Sequence, residues 1–354
     1  MGDYFKGPER LEVFSITGAP MRMGEPRSLE VPDYQVLKNL IAQGEKDKAI
    51  AYLSAFHAQN SGMLSLLNDW CVAQVKLCAE LLDATKEKNL RPEAMKEFNI
   101  LIDKMALEYH SAEDKAVLDF IRKYITAETI LFLDGQKILE GLNQKKDALV
   151  LAITAGDKNK AIIDVDHYHH HDLICHDSLI TFIYSYPTTV MKHYGEKMGM
   201  DISNESILRN PIWNGMWELT KVLTPLDLAA FLAEHLRFHF SGPARQGQTI
   251  IKEDDKKINL IFDPCGSGGA LRRRLGDDIV NFKEKHQLGW NKCGEVNMYC
   301  SHCAINEKHS IDLFGYPKLV VEFQADPAKP CGWTIYKNKE DIPAEVYERL
   351  GLKK

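Results

Sequence analysis

No stretch of this 354-residue chain stays apolar for the eighteen or more residues that a membrane-crossing helix needs. Its start, Met1 to Arg27, carries charges and glycines where a secretory leader would be continuously apolar. It opens Met-Gly, but Lys6 stands where the myristoylation pattern requires Ser or Thr. An excess of positive charge is missing too. Lys and Arg number 44 against 50 Asp and Glu, for a net charge of −6, whereas a nucleic-acid binder needs a concentrated positive surface to displace counterions. The basic triplet Arg272-Arg273-Arg274 is too short for that role and reads as a solvated turn or as a holder of a substrate carboxylate. These absences point to a cytoplasmic protein that meets a small-molecule substrate, with no nucleic acid and no membrane among its partners. Disulfides are rare in that compartment. The 8 cysteines therefore read as metal ligands, nucleophiles or core residues.

What is present is unevenly placed. Five of the eight cysteines fall between 265 and 331, and six of the 13 histidines between 167 and 193. Residues 1–30 are aperiodic and bear Gly and Pro, as an N-terminal arm would that wraps the body or joins two copies as a homodimer. Residues 31–242 read as helical, with apolar residues at three- and four-residue spacing and turns at Gly44, Gly135, Gly156, Gly195, Pro211 and Pro225. From 243 to 354 the text becomes β-branched and aromatic, at Thr249–Lys252, Ile258–Phe262, Lys318–Phe323 and Trp333–Tyr336. The pattern predicts an α+β fold: a helical domain followed by a small antiparallel sheet with a Cys/His site.

The helical part contains a repeat. Ile41-Ala-Gln-Gly44-Glu-Lys-Asp-Lys-Ala-Ile50 matches Ile153-Thr-Ala-Gly156-Asp-Lys-Asn-Lys-Ala-Ile162 at six of ten positions. The same offset carries His57 onto His169 and Asn60 onto Asp172. Each copy reads as a helix end, a Gly turn and a new helix. Two similar helical hairpins packed with pseudo-twofold symmetry are the expectation.

Three constellations carry candidate chemistry. On a helix from about Asn159 to Tyr186, the residues His169, Asp172 and His176 fall on one stripe with Ile162, Val165, Leu173 and Ile180. Buried polar groups need partners, and a metal or an Asp-oriented catalytic His would supply them. On a helix from Leu226 to Phe240, His235 and His239 stand at i, i+4, a spacing that can chelate a metal. In the cysteine region, Cys265 opens the Gly-rich turn Cys265-Gly-Ser-Gly-Gly269. Cys300-Ser-His-Cys303 is a CxxC, whose two-residue spacer brings both sulfurs to one metal. No second CxxC follows, so His302, Cys293, His239 or Cys331 would have to complete the set.

The Asp263-Pro-Cys-Gly-Ser-Gly-Gly269 turn and the stretch from Tyr299-Cys-Ser-His-Cys303 to Cys331-Gly-Trp-Thr-Ile-Tyr-Lys337 together resemble a bacterial group related to the L-2-amino-thiazoline-4-carboxylic acid hydrolase-like family, over residues 225–340. The resemblance implies hydrolytic opening of a small ring containing sulfur and nitrogen, with Cys265, Cys300 and Cys303 near the chemistry.

The leading expectation is thus a metal-dependent hydrolase or lyase that cleaves a C–S or C–N bond in a small, carboxylate-bearing molecule. Cys265, Cys300, Cys303, His302, His239 and His235 are the candidate ligands for Zn2+, or alternatively for Fe or an iron–sulfur cluster. His169, Asp172 and His176 would move protons, and Arg272 would bind the carboxylate. Two alternatives stand beside it: an iron–sulfur-dependent desulfurising enzyme, and a ligand-binding sensor with a structural zinc.

Overall fold

The computed structural model describes residues 11–13, 20–22, 30–235 and 248–354. Two short strands, β1 (Leu11–Val13) and β2 (Pro20–Arg22), pair antiparallel. A helical body follows: α1 (Asp33–Gln43), α2 (Lys46–Leu82), α3 (Ala84–Ala106), α4 (Ala112–Tyr124), α5 (Gly135–Ala155), α6 (Lys158–Tyr194), α7 (Glu196–Leu208), α8 (Pro211–Thr220) and α9 (Pro225–His235). The C-terminal part holds β3 (Gln248–Glu253), β4 (Lys257–Asp263), α10 (Gly268–Leu275), α11 (Ser301–Phe314), β5 (Val320–Glu322), β6 (Cys331–Tyr336) and α12 (Ala344–Glu348). Its four strands form one antiparallel sheet in the order β3-β4-β6-β5. The fold is α+β. Among the described residues no helix is long and apolar enough to cross a membrane.

The repeat is a structural one. α2 and α6 are each 37 residues long and begin and end at the same offset, Lys46 to Lys158 and Leu82 to Tyr194. Each follows a shorter helix that stops at a left-handed glycine, Gly44 (φ 81°) or Gly156 (φ 77°), a conformation that costs a residue without Cβ nothing. The two long helices pack on each other, and Asn60 Nδ2 donates to Asp172 Oδ2 at 2.5 Å across 112 residues of chain.

The packing of α6 differs from the amphipathic helix that the stripe implies. Every residue from His171 to Met191 is buried, because α1 to α5 and α7 close around it. Over that stretch the helix has no solvent face, so its buried side is not confined to one apolar stripe, whereas residues 158–170 keep an exposed side.

Helical body and sheet share one core, which runs from Phe56 to Leu350 and takes in Trp70, Phe182, Phe231, Phe262 and Trp333. The proposed boundary at residue 242 lies outside the described residues. Trp70 of α2 stacks near Tyr299 (6.3 Å) and His302 (5.9 Å), so the cysteine region rests directly on the first copy of the repeat. Lys104–Asp278 and Arg274–Glu108 ion pairs tie α3 and the residues just after it to α10 and its C-terminal end.

Candidate functional site

The site is built where the end of β4, the start of α10, the start of α11 and β6 converge. β4 ends at Asp263, and a cis bond to Pro264 leads into Cys265. The glycines after it are required by contact. A Cβ on Gly268 would sit 2.9 Å from Cys300 Sγ and 3.2 Å from the Tyr299 ring, and one on Gly269 would sit 2.8 Å from Cys265 Cβ. Ser267 and Tyr299 share a buried hydroxyl–hydroxyl bond of 2.7 Å that fastens this turn to α11. Arg273 Nη2 donates to the Cys265 carbonyl at 3.1 Å.

Cys300 is the residue just before α11. Its backbone N–H donates to Asn297 Oδ1 (2.9 Å), and Asn297 Nδ2 approaches its sulfur at 3.5 Å. Burial pushes the Cys300 thiol up to about 12, although the Arg272 guanidinium pulls the other way.

One turn inside α11, His302 and Cys303 form a pair. His302 Nδ1 lies 2.5 Å from the Tyr299 carbonyl, which can only accept, so Nδ1 carries the proton. Nε2 is then a lone pair, and it lies 3.4 Å from Cys303 Sγ. The Trp333 indole N–H also hydrogen-bonds the Cys303 thiol, an interaction that favours the thiolate. Burial works against ionisation of both partners. It lowers His302 to about 4 and raises Cys303 well above the ordinary thiol range, where Cys331, Cys300 and Cys265 add to the effect. The resting pair is therefore a neutral thiol hydrogen-bonded to a neutral imidazole. Its proton moves only as charge develops on the sulfur.

His302 and Trp333 both line a cavity of about 60 Å³, whose apolar wall includes Trp213, Trp217, Phe231 and Leu319. The Cys303 sulfur is thus held by two side chains that face this space.

Burial first, and then neighbouring cysteines, raise the Cys300, Cys303 and Cys331 thiols, and Cys265 adds to the effect on all three. No three of their sulfurs, with or without His302, lie within 4.8 Å of one another. Among the described residues the one set of three donors that does is Glu196, Glu284 and His286. As arranged, the thiols are neighbours rather than an assembled ligand set. The Glu196 carboxylate already accepts from Lys283 N–H (2.6 Å), Glu284 N–H (2.9 Å) and His286 Nε2 (3.1 Å), so it anchors the 283–286 loop to the start of α7.

The other expected residues fall elsewhere. His169, Asp172 and His176 do not converge on one point. The His169 ring stacks on Tyr34 with centroids 4.3 Å apart, Asp172 accepts from Asn60, and His176 Nδ1 bonds Asp177 at 2.9 Å. Asp177 in turn receives Arg274 at 3.0 Å. None of the three lines the cavity beside His302. The carboxylate-binding role expected of Arg272 meets a guanidinium that is already committed. Nη1 donates to the Gln324 carbonyl (2.7 Å), Nη2 to the Ala325 carbonyl, and the group stands 5.2 Å above the Phe323 ring. Arg272 pins the loop after β5. His239 lies outside the described residues, and so does the side chain of His235, where α9 ends. Cys293 is exposed.

Trp333, Asn306 and Lys318 complete the wall and were not singled out in the sequence. The Trp333-Thr-Ile-Tyr336 run marks a strand but not which residue of it meets the thiol. Comparison with protein-family models, curated proteins and solved structures finds no match for this chain.

Proposed function

We propose that the protein is an enzyme that cleaves a C–S or C–N bond in a small carboxylate-bearing molecule, with Cys303 as nucleophile and His302 as its base. The orientation of His302 carries this reading. Its Nδ1–H is fixed on a backbone carbonyl, which leaves Nε2 to accept the Cys303 proton on the wall of a cavity. The sulfur adds to an electrophilic carbon of acyl or amidine type while His302 takes the thiol proton. His302 then gives that proton to the departing sulfur or nitrogen as the C–S or C–N bond breaks. Water, deprotonated in turn by His302, attacks the thioester-like adduct and releases Cys303 as a thiol. The Trp333 N–H, already at the sulfur, stabilises negative charge there. The reduced thiols fit a cytoplasmic setting.

Limited labelling with iodoacetamide, read by peptide mass spectrometry, tests this first. Cys303 should be modified faster than Cys331 and Cys300, and His302→Gln should slow it by at least about tenfold. Equal rates in the two proteins would remove the base role of His302.

The closeness of four cysteines, three of whose thiols are raised by burial and then by their neighbours, favours a second reading. A soft cation such as Zn2+, or alternatively iron or an iron–sulfur cluster, would stabilise the thiolates that burial disfavours and draw Cys265, Cys300, Cys303 and Cys331 together. The sulfurs would have to close in from their present spacing. Elemental analysis of protein from metal-replete cells decides: stoichiometric metal supports this reading, and a metal-free, fully reactive preparation rejects it.

A further inference from the structure

Away from the cysteines, the start of α7 meets the loop at residues 283–286. There a carboxylate oxygen of Glu196, a carboxylate oxygen of Glu284 and a ring nitrogen of His286 lie within 4.8 Å of one another. The Glu196–His286 contact is a hydrogen bond of 3.1 Å between Nε2 and Oε2. That distance is also a spacing between two ligands of one ion, since donors held at about 2.0–2.2 Å stand about 3.0–3.4 Å apart. Nε2 can play either part. Protonated, it donates to Glu196; with the proton on Nδ1, its lone pair is a metal ligand. The ring is held in place by Phe282, edge to face at 5.2 Å.

Anchoring of the loop accounts for Glu196 and His286 but not for the Glu284 carboxylate. The anchor uses only the Glu284 backbone N–H, at 2.9 Å. Its carboxylate reaches the same point, and among the described residues no lysine, arginine or other donor holds it. Two carboxylates beside one imidazole leave an excess of negative charge even when the imidazole is protonated. A divalent cation would balance both.

We infer that Glu196, Glu284 and His286 form a binding site for a divalent transition-metal ion. Two carboxylate oxygens and one imidazole nitrogen suit Zn2+, Mn2+, Fe2+ or Co2+, and a set without thiolate does not select Cu+. Glu284 is exposed, so a change of rotamer can bring its oxygen to the ion, and the open side leaves room for water ligands. The ion fastens the loop to α7 through side chains, beside the N–H groups that Glu196 already holds. The loop returns toward the thiols: Phe282 N–H donates to the Val296 carbonyl at 2.8 Å, and Asn281 pairs with Asn297. Asn297 accepts the Cys300 N–H. The ion thus acts on the segment that leads into Cys300 without touching a sulfur.

The test is a titration of the chelator-stripped full chain with Co2+, followed by absorption and calorimetry. Co2+ reports its ligands, because thiolates give intense charge-transfer bands in the near ultraviolet and carboxylates with imidazole give only weak visible ones. The wild type should take up one ion per chain, saturably, with weak visible bands alone. Glu284→Gln should weaken binding at least about tenfold. It should leave the melting temperature in metal-free buffer unchanged, since that carboxylate holds no other group. His286→Gln, whose amide can still donate to Glu196, should abolish binding. Cys300→Ser should bind as the wild type does. A wild type with no saturable uptake overturns the inference, as does equal affinity in Glu284→Gln. Uptake that disappears in Cys300→Ser, with near-ultraviolet thiolate bands in the wild type, assigns the ion to the cysteines and overturns it too.

Discussion

Lys46 and Lys158 reach across the repeat to each other's turn. Lys46 Nζ donates to the Thr154 carbonyl at 3.0 Å, and Lys158 Nζ donates to the Ala42 carbonyl at 2.7 Å. Donors and acceptors are both 112 positions apart, so the two bonds are one contact made twice about a pseudo-twofold axis. Each lysine also lies against the glycine of the opposite turn. A Cβ on Gly156 would come within 2.9 Å of Lys46 Nζ, and one on Gly44 within 3.4 Å of Lys158 Nζ.

The buried end of this relationship is Asn60 with Asp172. Asn60→Leu removes a donor from a carboxylate that is 1 % exposed. Stability should fall by about 2–3 kcal/mol, the cost of depriving a buried charged group of a hydrogen bond. Urea denaturation measures it. A change under about 0.5 kcal/mol would mean that the pair contributes nothing net.

A second prediction concerns acid. His171 is buried against Gly141, and neither ring nitrogen has a hydrogen-bond partner. Burial, with a smaller contribution from Lys145, lowers its pKa from 6.5 to about 4. The folded state therefore binds this proton less readily than the unfolded chain. Stability contributed by the neutral ring is intact above pH 6.5, declines as pH falls below it, and is fully lost near pH 4, for a total of about 3 kcal/mol. His171→Leu should flatten the melting temperature over that window. An unchanged slope between pH 6.5 and 4 would show that His171 does not set it.

Gly268→Ala should disturb the site directly, since the new Cβ meets Cys300 Sγ and the Tyr299 ring. Overpacking of this kind costs about 1–3 kcal/mol. Because Tyr299 supplies the carbonyl that orients His302, the rate of Cys303 alkylation should change along with the melting temperature. A variant that melts lower but labels at the wild-type rate would uncouple the turn from the thiol.

The carboxylate of Glu307 is wholly buried, and Arg349 holds it with three hydrogen bonds of 2.6–3.2 Å, joined by the Trp290 indole and the Val321 N–H. Burial raises the Glu307 pKa, and Arg349 pulls it back. Arg349→Ala should destabilise the protein by about 3 kcal/mol, because it leaves that charge buried and uncompensated. Adding Glu307→Gln should recover part of the loss. Additive losses in the double variant would contradict a direct coupling.

The sequence carried much of this architecture. The periodicity of residues 31–235, the repeat and all four C-terminal strand regions are legible because each rests on local patterning. The Cys300–Cys303 segment is legible too, since His302 and Cys303 are adjacent in the chain. What was illegible depends on distant neighbours. The stripe on α6 assumed a solvent face that the surrounding helices remove from residue 171 onward, and His169, Asp172 and His176 meet Tyr34, Asn60 and Asp177 from three different segments. Arg272 reads as a free cation until the carbonyls of Gln324 and Ala325 fold back onto it. Trp213, Phe231, Lys318 and Trp333 share a wall only after four separate segments meet, and each alone looks like ordinary core or surface.

The repeat has one more consequence. Reciprocal contacts about a twofold axis are those of an isologous dimer, made here within one chain. Within one chain, neither half has to do what the other does. Trp70 in the first half faces Tyr299 and His302, whereas Phe182, its equivalent in the second, packs on Phe98 and Tyr186. A symmetric pair would have needed two C-terminal sheets or none. One chain with two unequal halves can support a single site.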